Sequence, residues 1–86
     1  MTITMLTRIH HAARYGRIIL SPHAQQEAEE AGARWADIKS AILTATVAKE
    51  QAEGRVRLEG GTDLEGEPLT VVVREVQPGL LVVTVF

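Results

Sequence analysis

The sequence predicts an α+β domain, with two or three N-terminal helices packed on a three- to four-stranded antiparallel sheet. Three observations carry this. Apolar residues recur at spacings of three and four as far as Ala45, and at spacings of two beyond it. Helices therefore come first and strands second, the order of an α+β layer arrangement rather than of alternating units. A chain of 86 residues, 45% apolar and 23% charged, suits one small folded core and no second. The expected organisation is a single domain over residues 1–86, helical in 1–45 and antiparallel sheet in 46–86.

The helices are read from their stripes and caps. Ile3, Leu6, Ile9 or His10, and Ala13 form one apolar line, which Gly16 ends. Ile18-Ile19-Leu20 is a short apolar connection or an edge strand. Ser21-Pro22 is a helix start: the serine oxygen can accept from free N–H groups, and proline at the first helical position loses no bond. Ala24, Ala28 and Ala31 make a thin stripe, with Glu27, Glu29 and Glu30 outside it. Gly32 suits the left-handed residue after the last turn. A third helix places Trp35, Ile38, Ile42 and Ala45 on one face, with Asp37 in its first turn.

The strands are read from alternation. Thr46 to Gln51 is a candidate strand, and Arg55-Val56-Arg57-Leu58-Glu59 alternates charged and apolar. From Leu69 to Val76, Leu69, Val71 and Val73 share one face while Thr70, Val72, Arg74 and Val76 share the other. Gln77-Pro78-Gly79 is a turn signal, and Leu80 to Phe86 completes a hairpin. That last strand is apolar on both faces, as a central or interface strand is. Trp35, Ile38 and Ile42 are expected to pack on Val71, Val73, Val83 and Val85.

Composition removes several function classes. There is no cysteine, so disulfides, thiolate zinc sites and cysteine nucleophiles are excluded. The longest apolar run, Leu80 to Val83, is far too short to cross a membrane. The net charge is −2, with no global basic signature, yet residues 1–20 hold Arg8, Arg14 and Arg17 and no acid. The N-terminus reads as an ordinary helix with a charged face rather than a targeting sequence, and the expected location is the cytoplasm. No metal or cofactor is expected. His10 and His11 point about 100° apart on a helix, and His23 is distant from both. Asp63 to Glu67 starts like a calcium loop but has Pro68 where that loop needs glycine and Arg74 where it needs glutamate. The glycines around Gly60-Gly61 lead into a strand among acids, which suits a hairpin connection and not a phosphate cradle.

What survives is a chemistry of few groups: arginines on a sheet face that hold a phosphate, and an imidazole that moves protons. Arg55, Arg57 and Arg74 are the strand candidates. Arg55 and Arg57 share a face by spacing, and Thr84 is expected near Arg74 across the hairpin.

Ile19-x-Ser21-x-His23-Ala24, Gly32, Asp37-Ile38-x-x-Ala41-Ile42, Leu58-x-Gly60, Gly66-x-x-Leu69-x-Val71-Val72-Val73 and the terminal Val82-Val83-Thr84-Val85-Phe86 stand in an informative order. Together they resemble an uncharacterised bacterial family of small domains, distantly similar to the RelE/ParE-like and BrnT-like toxins of toxin–antitoxin systems. The resemblance implies helices on a curved antiparallel sheet, mRNA cleavage or inhibition of another target, and a neutralising antitoxin partner. It carries His23 and Thr84 by motif position. Phe86 stands in place of a terminal tyrosine, so that phenolic hydroxyl is absent.

Two functions follow. One is a toxin-like endoribonuclease in which His23 serves as acid and base, Arg57 and Arg74 hold phosphate, and Thr84 lies beside them. The other is a non-catalytic protein-binding module, or a homodimeric structural domain, that uses the same apolar and charged sheet.

Overall fold

In the computed structural model, residues 4–86 are described, and Ile3 of the first apolar stripe lies outside them. The order is α1 (Met5–Tyr15), β1 (Arg17–Leu20), α2 (Pro22–Ala31), α3 (Trp35–Thr44), β2 (Val47–Glu50), a 3-10 turn (Ala52–Gly54), β3 (Arg55–Glu59), β4 (Val71–Val76) and β5 (Gly79–Val85). The α+β class therefore stands. The sheet differs from the sequence expectation in having five strands and being mixed, in the order β1-β5-β4-β3-β2. Its fifth strand is β1, which runs parallel to β5 from Arg17 opposite Gly79 to Leu20 opposite Val82. The helical half of the chain is thus interrupted by a strand. Parallel pairing joins segments that are far apart in sequence and leaves no hairpin signal, so the partner of Ile18-Ile19-Leu20 was not readable.

The caps form as their residues dictate. Ser21 Oγ accepts from the Ala24 N–H at 3.1 Å, Pro22 opens α2, and Gly32 sits left-handed at φ 70°. Asp37 Oδ2 accepts from the Arg34 N–H at 2.9 Å and so caps the start of α3.

All three helices pack on one face of the sheet. Ile9, Ala24, Ala28, Ile38 and Ile42 meet Val56, Leu58, Val71, Val73, Leu80, Val82 and Val85 in one continuous core. Two inward assignments from the sequence do not hold. Trp35 is 48% exposed, because α3 turns Asp37, Ile38, Ala41 and Ile42 inward and leaves the tryptophan at the margin. Val83 is displaced by a bulge: Val72 lies opposite Thr84 and Val73 opposite Val82, so β5 carries one extra residue there. The bulge resets the alternation, turning Val85 inward onto Val71 and Thr84 outward beside Val72.

Candidate functional site

The other sheet face carries no helix, and pairing aligns its side chains in rows. Lys49 is opposite Arg57, Arg57 opposite Val72, and Val72 opposite Thr84. In the next row Arg55 is opposite Arg74, Arg74 opposite Leu81, and Leu81 opposite Ile19. On the other side Val47 is opposite Glu59, and Thr70 pairs with Phe86 through two backbone bonds of 2.7 and 2.9 Å. The face is thus a cationic centre set among apolar side chains.

Its charges are partly compensated. Glu59 takes both Lys49 Nζ, at 3.0 Å, and Arg57 Nε, at 2.7 Å. The bond from Lys49, aided by the nearby Arg57 charge, holds the Glu59 carboxyl below the usual glutamate range. Arg57 also lies over the Phe86 ring, 4.9 Å from its centroid. Arg55 has only Glu53, at 3.6 Å, and Arg74 has no ion-pair partner among the described residues. Two arginines directly opposite each other on neighbouring strands repel, unless an anion lies between them.

His23 belongs to a different corner. β1 covers the edge of β5 only as far as Val82, and beyond that point α2 takes over. The Ser21 N–H donates to the Val82 carbonyl at 2.9 Å, and Glu27 Oε1 accepts from the Val85 N–H at 3.1 Å. His23 Nε2 stands 3.4 Å from that same Glu27 oxygen, with its ring largely exposed. The Glu27 carboxylate therefore ties α2 to the strand that carries Thr84, with the His23 ring beside it.

The structure thus brings Arg57 and Thr84 into one row, with Val72 between them. Arg74 is one row away and diagonal to Thr84 across the hairpin, since it stands opposite Leu81. His23 reaches the same end of β5 from its edge. Strands lie about 4.8 Å apart, so the Arg57 backbone is about 10 Å from that of Thr84. Sequence reasoning missed Glu27, Lys49 and Phe86. Glu27 was discoverable, since its spacing of four from His23 puts the two side chains on one helix face. Lys49 and Phe86 join the site only through strand register.

Among the described residues no group of three His, Asp or Glu side chains is placed to hold a metal ion. Among those residues no helix is long and apolar enough to cross a membrane. The profile of a family described as a domain of unknown function (DUF4258) matches residues 20–86, which leaves α1 and nearly all of β1 outside the match. No curated protein and no solved structure matches the chain.

Proposed function

The chain belongs to the family DUF4258, a domain of unknown function, and from that premise we propose that it is a toxin-like protein that binds RNA on its open sheet face and cleaves it. One observation supports this above the others: Arg55 and Arg74 stand directly opposite each other, next to Arg57 and Lys49, on a face that no helix covers. A phosphodiester backbone supplies the anions that relieve this repulsion, and guanidinium groups offer it paired donors.

In this reading Arg57 and Arg74 hold phosphates, and Phe86 offers a ring for a base to stack on. Thr84 donates to a phosphate oxygen. His23, held by Glu27, takes the proton of the attacking ribose hydroxyl or returns one to the leaving oxygen. Arg57, poised between Glu59 and the incoming phosphate, stabilises charge as it develops. The reading extends the distant likeness to RelE/ParE-like and BrnT-like toxins, and with it a cytoplasmic setting and a neutralising partner protein.

The apolar neighbours of the same face, Ile19, Leu81 and the exposed Phe86, favour a second reading, a non-catalytic module that binds a protein partner or a second copy. One experiment separates the two. Purified wild type, His23→Ala and Arg57→Ala are incubated with a structured mRNA, and products and binding are both measured. The first reading expects cleavage by wild type alone, with Arg57→Ala also losing affinity and both variants keeping the wild-type melting temperature. Binding without cleavage by wild type would remove the catalysis, and no binding at all would remove RNA and leave the second reading in its place.

A further inference from the structure

β1 adds a further cation to the open sheet face. Ile18 turns into the core, so alternation places Arg17 and Ile19 on the side that no helix covers, both exposed. Arg17 stands opposite Gly79, and Gly79 opposite Val76, which makes a third row beside those of Arg57 and Arg74. Like Arg74, Arg17 is in no ion pair among the described residues. Glu59, by contrast, takes Lys49 and Arg57, and Glu53 stands near Arg55. We propose, resting on the RNA reading of this face, that a single-stranded RNA crosses it diagonally and that Arg17 anchors a phosphate at the end remote from His23.

The cations themselves draw the diagonal. Lys49 lies on β2 at one margin of the sheet and Arg17 on β1 at the other. Lys49 and Arg57 share the first row, Arg55 and Arg74 the second, and Arg17 stands in the third. The line runs about 19 Å across four strand spacings and about 13 Å along the strands, from the row of Val72 to that of Val76. Apolar side chains fill the intervals: Val72 lies beside Arg57, and Leu81 and Ile19 lie beside Arg74. A single strand offers phosphates and unstacked base faces together, and so uses both kinds of side chain. An A-form duplex keeps its base faces stacked inside and would leave the apolar side chains without a partner.

The position of Arg17 separates its role from that of the cleavage corner. Arg17 stands opposite Gly79, whereas the N–H that Glu27 holds beside His23 is that of Val85. Six residues of strand, about 20 Å, lie between the two. Arg17 therefore holds a part of the strand far from the bond that is cut. Only an RNA long enough to reach it gains affinity from it.

The test measures affinity for single-stranded RNA of about four and about twelve nucleotides, lengths typical of sequence-tolerant single-strand sites. The proteins are wild type, Arg17→Gln, Arg74→Gln and Arg14→Gln, the last losing the same charge from α1 and not from the sheet. Arg17→Gln should bind the longer RNA severalfold more weakly and the shorter RNA as wild type does. Its slope of log affinity against log salt for the longer RNA should be shallower by about 0.7. Arg14→Gln should match wild type. Arg17 is exposed, so circular dichroism should show the Arg17→Gln fold unchanged. Weaker binding in Arg74→Gln with none in Arg17→Gln would overturn the path and leave the RNA reading standing. No binding by wild type would overturn both. Equal losses in Arg14→Gln and Arg17→Gln would overturn the path by showing a general attraction to positive charge. A duplex bound as tightly as the single strand would overturn it as well. So would poly-glutamate bound as tightly with the same dependence on Arg17, by making the face a site for an acidic protein.

Discussion

The indole Nε1–H of Trp35 donates to the backbone carbonyl of Ile18 over 3.0 Å, from the start of α3 to the outer edge of β1. Arg17 and Ser21 donate to Pro78 and Val82, so the odd-numbered residues of this strand face β5 and the groups of Ile18 and Leu20 face outward. An edge strand with free carbonyls is a template for unwanted pairing. Trp35 occupies one of those carbonyls and lays its ring along the edge, which explains a tryptophan that is half exposed and yet fixed.

Replacing Trp35 by phenylalanine keeps most of the ring and removes the donor. The expected loss is about 0.5–1.5 kcal/mol, the usual net worth of such a bond. Urea denaturation followed by circular dichroism measures it. A loss near zero would mean that water serves the Ile18 carbonyl as well as the indole does.

Ile38 is fully buried between α3 and the sheet. Ile38→Ala should lower stability by about 2–4 kcal/mol through lost transfer energy and a residual cavity. In a chain this small that is a large part of the total. The exposed Leu64→Ser should change stability by less than about 0.5 kcal/mol. Equal effects would contradict the layer arrangement.

Asp37 links α3 to the Leu64 turn and has a pH signature. The N–H groups of Arg34 and then Leu64 hold its carboxyl below the usual aspartate range. A carboxyl depressed in the folded state stabilises the fold above the ordinary aspartate value of about 3.9, and this stability is lost as pH falls through the lower folded value. The stability gap between wild type and Asp37→Asn should therefore be full at pH 6 and shrink in acid below about pH 4. Melting temperatures across that range test it, and a gap that widens in acid would refute the assignment.

For the sheet face, each arginine that holds a phosphate releases roughly one counterion. Arg57→Gln and Arg74→Gln should each reduce the slope of log affinity against log salt for single-stranded RNA by about 0.7. Glu53→Gln, at the exposed turn before β3, should leave the slope at least as steep. Unchanged slopes in both arginine variants would remove phosphate contacts from Arg57 and Arg74.

Much of the fold was written locally. Ser21 and Pro22 start α2, Gly32 ends it, and Gly16 ends α1. The alternation of Arg55 to Glu59 puts Val56 and Leu58 in the core and Arg57 outside, as the structure has them. Such features depend on dihedral preference and on period, which neighbouring residues set by themselves. The arginines of the candidate site were legible for the same reason.

The sequence by itself determined which segments other than β1 became helix or strand, where the caps of α2 fell, and which side of β3 and β4 entered the core. Tertiary structure alone decided which strands became neighbours, because hydrogen-bond partners far apart in the chain leave no local trace. It placed β1 in parallel beside β5, Arg55 opposite Arg74, and Lys49 opposite Arg57. It also decided that Val82 rather than Val83 enters the core beside Val85, with Thr84 still outward, because one extra residue of β5 lies between Val82 and Thr84. A bulge depends on how two strands fit over a shared core, so no count along β5 alone could have found it.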